Sequence, residues 1–159
     1  MLTTTLSVES DIKDWIDENL SFLQEHITTQ QLYDLVLKTL TNDTNRSDYR
    51  IQIQDDQAIV EYDPDFIPGQ ILSNWIFHRW QPGPEVQKLL DLEEKLQDKR
   101  YMANLVAKNI NQNMEISYGT IFYKNKAIAD VYDLIEDKQP ELMDEIFYRV
   151  EEQLVEETL

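Results

Sequence analysis

The chain has 159 residues, 42% hydrophobic and 28% charged, and its 31 acids against 14 bases leave a formal net charge of −17. That length suits one domain with a core of its own, and the apolar content excludes disorder throughout. The lack of cysteine excludes disulfides, thiolate metal sites and cysteine nucleophiles, while the carboxylate surplus repels nucleic acid and anionic lipid, which bind through Lys and Arg.

Met1-Leu2-Thr3-Thr4-Thr5 holds no basic residue and runs into no apolar stretch, so no signal peptide is expected. The most apolar segment is interrupted by Asn74, His78 and Arg79 and is too short to span a bilayer. A cytoplasmic protein with no membrane partner is the expectation. A first helix is predicted from about Ser10, whose hydroxyl can cap the opening amides, with Ile12, Trp15, Ile16, Leu20, Leu23 and Ile27 at helical spacing and Asp14, Asp17, Glu18 and Glu25 opposite. Thr28-Thr29-Gln30-Gln31 has capping-box form and predicts a second helix with Leu32, Leu35, Val36 and Leu40 inward. So short a connection makes the two helices antiparallel neighbours.

After a polar loop over 41–48, Tyr49 to Gln54 alternates with period two, Asp55-Asp56 can turn, and Ala58 to Tyr62 returns as the second arm of a hairpin. Two strands alone are marginal, so this hairpin must lie on helices or find further strands. Pro64, Pro68 and Gly69 open the segment 70–80, and Gln81-Pro82-Gly83-Pro84 closes it. Pro84 suits the first position of a long helix running to about residue 110 on Val86, Leu89, Leu90, Leu96, Leu105, Val106 and Ile110.

Residues 111–127 read two ways. Met114, Ile116 and Tyr118 alternate like a strand, the reading adopted, whereas Gly119 would suit the end of a longer helix. A helix is expected over 128–137 and another after Pro140, with Leu142, Met143, Ile146, Phe147, Val150 and Leu154 on one arc and Glu141, Asp144, Glu145, Glu151, Glu152 and Glu156 on the other. The fold class is therefore α+β and mainly helical: about six helices around one hairpin, with room for a second, in a single-layer core over one domain, 1–159.

Chemistry finds little to work with. Gly69, Gly83 and Gly119 stand far apart, so neither a dinucleotide fingerprint nor a P-loop exists. His26 and His78 share no motif-like spacing, and no serine sits in a Gly-flanked elbow. Asp43, Asn45 and Ser47 imitate the start of a calcium loop, but Asp48 stands where the turn wants Gly and Gln54 cannot clamp a cation as Glu does. The acids Asp55, Asp56, Glu61, Asp63 and Asp65 offer at most a weak divalent-cation cluster. No cofactor and no metal is expected.

Two features remain. Trp75, Phe77, Arg79 and Trp80 crowd one short segment; Trp and Arg anchor interfaces, yet the same pattern describes a central core helix, which the aromatic content favours. The charge is also uneven: residues 130–159 hold eleven acids against two bases, a net −9, and residues 42–65 hold seven against two, a net −5. Solubility alone would explain this, and so would docking on a protein with a basic surface. The sequence thus points to a non-catalytic adaptor, assembly factor or inhibitor. Trp75, Phe77, Arg79 and Trp80 would supply its grip and Glu141, Glu145, Glu152 and Glu156 its acidic face, with homo-oligomerisation left open. The competing readings are a DNA-mimic inhibitor and an enzyme or divalent-cation protein whose site no linear motif reveals.

Overall fold

A computed structural model of the chain describes residues 1–43, 46–98, 100–102, 105, 114–117, 120–123, 126–130 and 140–159, with the backbone alone for those from 114 to 146. The fold is α+β and mainly helical. It divides into two compact units, Met1–Glu93 and Glu94–Leu159, taken in turn.

The first unit begins with a strand that no period-two pattern in the sequence signals. β1, Leu2–Ser7, pairs antiparallel with β3, Gln57–Tyr62, which also pairs with β2, Tyr49–Gln54, so the expected hairpin is real and gains a third strand in the order β1-β3-β2. Asp55, at the turn, has φ of 57°, a left-handed conformation that a short polar side chain tolerates. Leu2, Thr4 and Leu6 lie in register with Tyr62, Val60 and Ala58, and these with Tyr49, Ile51 and Ile53. Because strand side chains alternate, all nine share one face, and Ile51, Ala58 and Val60 on it are buried. The opposite face carries Thr3, Thr5, Glu61, Arg50 and Gln52.

Backbone pairing also fixes where the first helix starts. The Val8 amide donates to the Asp56 carbonyl at 3.1 Å, continuing the β1–β3 ladder one residue past the strand. α1 therefore spans Glu9–Asn19, and the hydroxyl that accepts from its first amide, that of Glu9 at 3.2 Å, is Ser7's rather than Ser10's. The apolar series from Ile12 to Ile27 is buried throughout, as its spacing implies, but no single helix carries it. α1 stops, a 3₁₀ turn follows at Leu23–Glu25, and α2 begins at Thr29 and runs to Thr39. The capping box at α2 is complete: the Gln31 amide donates to Thr28 Oγ1 and the Thr28 amide to Gln31 Oε1, both at 3.2 Å.

The interruption after α1 is held by a carboxylate from far along the chain. Glu93, only 3% exposed on helix α4 (Pro84–Gln97), accepts from the Phe22 amide at 2.8 Å and the Leu23 amide at 2.9 Å. These are the amides a helical turn leaves without intrahelical partners at its start. The Ser21 hydroxyl approaches the same carboxylate at 3.5 Å. α4 carries Val86, Leu89 and Leu92 into the core on the same flank as Glu93.

Between the hairpin and α4 lies α3, Pro68–Asn74, which packs on β3 and passes into a π turn at Trp75–Arg79. The Trp80 amide closes that turn on the Trp75 carbonyl at 2.7 Å. A π turn holds one residue more than an α turn, so it brings Trp80 under Trp75 where an α turn would bring Arg79.

In the second unit, Arg100 and Tyr101 donate their amides to Asp98 Oδ1 at 3.1 and 3.0 Å, which caps a helical start after α4 has ended. The expected uninterrupted helix to about residue 110 is thus broken at Asp98; residues 100–102 and 105 are helical, and 106–113 lie outside the described residues. The strand reading of 111–127 holds at the described residues 114–117, 120–123 and 126–127; 111–113, 118, 119, 124 and 125 lie outside them. β4, Met114–Ser117, β5, Thr120–Tyr123, and β6, Lys126–Asp130, form a second antiparallel sheet in that order. β6 corrects the expected helix over 128–137 at its first three residues, because β5 offers Ala127, Ala129 and Asp130 a ladder; residues 131–137 lie outside the described ones. Helix α5 spans Pro140–Thr158, as its amphipathic pattern predicts.

Glu93→Gln tests the carboxylate. It keeps one acceptor oxygen but points an amide donor at one of the two buried N–H groups, so we expect a loss of about 1–3 kcal/mol in urea unfolding with an unchanged slope.

Candidate functional site

Of the four aromatic-segment residues expected to grip a partner, two are internal. Trp75 is 3% and Trp80 6% exposed, and Trp80 stands edge-to-face on Trp15 with ring centroids 5.3 Å apart and planes at 69°. Ile76 is buried beside them, Phe77 and Arg79 are half-buried, and His78 is exposed. The core helix that the aromatic pattern favoured is what surrounds Trp75 and Trp80; the π turn produces it. The indole nitrogen of Trp80 is buried without a hydrogen-bond acceptor among the described residues, and the ring packs on Trp15.

Arg79 faces the sheet. Its Nε lies 3.9 Å from Asp43 Oδ2, an ion pair too long for a hydrogen bond. Asp43 itself exchanges backbone bonds with Ile51, the Asp43 amide donating at 2.9 Å and the Ile51 amide at 3.0 Å. The Tyr49 hydroxyl reaches the same Asp43 oxygen at 3.5 Å. Tyr49 is pushed above its usual phenol range, first by burial and then by the Asp43 charge. These contacts end the calcium-loop reading: its last six positions, 49–54, are strand β2. The looser acidic group separates as well. Asp55 and Asp56 sit at the turn, whereas Asp63 and Asp65 follow the far end of β3, roughly 20 Å away at ~3.3 Å per strand residue.

Beside Tyr49 a hollow of about 390 Å³ opens between the start of β2 and α3. Asp48, Gln70 and Asn74 line it together with Phe66 and Ile67, which are 43% and 59% exposed. Its ionisable lining groups are Asp48 and Tyr49; His78, the residue on which a cryptic catalytic site would have centred, is not part of it. The Asp48 carboxylate and the Tyr49 hydroxyl give the hollow two groups able to hydrogen-bond. Phe66 and Ile67, between Pro64 and Pro68, went unremarked in the sequence, although an apolar pair fenced by prolines in an acidic stretch is a visible signal.

On α5, Glu152 and Glu156 are exposed, with Glu157 and Gln153 beside them, while Val150 and Val155 are buried and Leu154 half-buried. Glu151, expected on the outer arc, is half-buried. Glu141 and Glu145 stand on the same helix, with side chains outside the described residues. The last turn of α5 carries no basic residue, so Glu156 and Glu157 meet the negative end of the helix dipole. Among the described residues no helix is long and apolar enough to cross a membrane. No family model, no characterised protein and no solved structure matches the chain.

Trp80→Ala should cost about 3–5 kcal/mol in thermal or urea unfolding, whereas Trp80→Phe should cost less because the indole N–H has no acceptor among the described residues. A charged group near the core gives a pH-dependent check. Asp11 on α1 is pushed above its usual 3.8, chiefly by partial burial and then by the Asp14 charge, with the Ser73 hydroxyl pulling it down. The folded state therefore holds this proton more tightly than the unfolded chain, and stability falls as pH rises from 3.8 through the folded-state value. Asp11→Asn should raise the melting temperature at neutral pH, a gain that vanishes below pH 3.8.

Proposed function

We propose that this chain is a non-catalytic interaction protein, an adaptor, assembly factor or inhibitor, that docks on a protein partner with a basic surface. The observation that carries the reading is the outer face of α5. Glu152 and Glu156 are one helical turn apart, like charges at that spacing repel, and Glu156 and Glu157 oppose the helix dipole. Each of those placements weakens an isolated helix, and a cationic surface laid against it would relieve all of them together. The distribution of charge supports the same reading, since residues 130–159 hold a net −9 of the chain's −17. Steering by such a face speeds association and is screened by salt.

The proposed contact makes no use of Trp75 or Trp80, which serve the core. Phe77 and Arg79 remain half-exposed in the other unit, but Arg79 is engaged with Asp43.

Capture from a native lysate at low and at high salt tests the proposal, using the intact chain and a Glu152→Gln/Glu156→Gln/Glu157→Gln variant. Basic proteins retained at low salt, released at high salt and lost with the variant are the expected result. Retention that ignores both salt and the three substitutions would refute it.

A further inference from the structure

The two edges of the first sheet are finished in different ways. On β2, the outward-facing amides of Ile51 and Ile53 are taken by the Asp43 carbonyl at 3.0 Å and by Asn42 Oδ1 at 2.8 Å, so that edge is closed. On β1 the bond from Val8 to Asp56 sets the parity of the ladder. Rungs to β3 fall at Leu2, Thr4, Leu6 and Val8, and the backbone groups of Thr3 and Thr5 point away from the sheet. Both residues are exposed, and Leu2 is 49% exposed. Edges are ordinarily blunted by lysine, proline, an inward charge or a bulge. Leu2–Ser7 has none of these, and its register with β3 is unbroken.

The strand also reads the same in both directions: Leu2-Thr3-Thr4-Thr5-Leu6. We propose that β1 pairs antiparallel with β1 of a second copy of this chain about a two-fold axis at Thr4, joining two three-stranded sheets into one of six. In that register Thr3 faces Thr5 of the second copy, and the two exchange the N–H and C=O groups that β3 leaves over. On the helix-covered side Leu2 faces Leu6 of the second copy, and Thr4 faces its own equivalent. Each pair joins like chemistry, threonine to threonine or leucine to leucine, and such pairs stabilise a sheet. No charge meets a like charge across the seam, a demanding condition in a chain carrying −17. The contact is isologous, so it closes at two copies instead of propagating.

Its salt response is opposite to that of docking on a basic partner. Two chains of −17 repel at long range, and salt screens the repulsion, so this pairing tightens as salt rises. Failure of one reading therefore leaves the other standing.

Light scattering across a dilution series at low and high salt reads the mass directly. The expected result is a shift from 18.9 kDa towards twice that value with concentration, at lower concentrations when salt is high. Thr3→Lys/Thr5→Lys places lysine against lysine twice and should weaken the dimer about tenfold or more, with an unchanged thermal melt of the monomer because both side chains lie on the exposed face. Thr3→Lys/Thr5→Glu places opposite charges in the same positions and should restore it. Thr4→Cys gives an independent readout in a chain that lacks cysteine: facing Cα atoms at a non-hydrogen-bonded pair are ~4.5 Å apart, within disulfide reach, so mild oxidation should yield a covalent dimer where Gln54→Cys on the closed edge does not. A mass of 18.9 kDa under all conditions, a dimer indifferent to the paired lysines, or no crosslink at Thr4→Cys overturns the proposal.

Discussion

The first unit is organised around a carboxylate taken out of water. Glu93 reaches Phe22 and Leu23 with two short hydrogen bonds and is almost fully enclosed. Burying a charge is costly unless hydrogen bonds replace its hydration, and two backbone amides at the start of a 3₁₀ turn do that. In return the bend between α1 and α2 is fixed from a site seventy residues away, and α1 can then lie against α2 and the π turn that carries Trp80.

A second constraint sets the placement of the aromatic side chains. α3 cannot offer both Trp75 and Trp80 to the core with regular α-helical spacing and still turn Arg79 towards Asp43. The π turn resolves this by taking one residue more into the turn, so that Trp80 rather than Arg79 bonds back to Trp75. Core and surface are thereby separated within six residues: Trp75, Ile76 and Trp80 inside, His78 outside, and Phe77 and Arg79 at the boundary. Among the described residues, the surfaces offered to other molecules include carboxylates on one helix, a modest hollow with an apolar lip, and the exposed edge of β1.

Electrostatics and backbone pairing then act in opposite senses. Net charge keeps copies of the chain apart and favours cationic partners, whereas the edge of β1 is a short neutral window in that field. The first effect follows from composition, whereas the second depends on where residues sit.

The sequence by itself determined the fold class, the β2–β3 hairpin, the capping box at Thr28 and Gln31, the helix after Pro140 and the polarised charge, because these are written in the order and spacing of nearby residues. The cover on the β2 edge by Asn42 and Asp43, the role of Glu93, the third strand at Leu2–Ser7 and the π turn were decided only in three dimensions. β1 carries no strong alternation of apolar and polar residues and finds its partner fifty or more residues on. Glu93 looks like any other helix carboxylate until Phe22 and Leu23 arrive beside it. Local spacing encodes the period of an element and its exposed face, but which distant group satisfies a buried amide, and which strand edge is left open, depends on contacts that no short window of sequence contains.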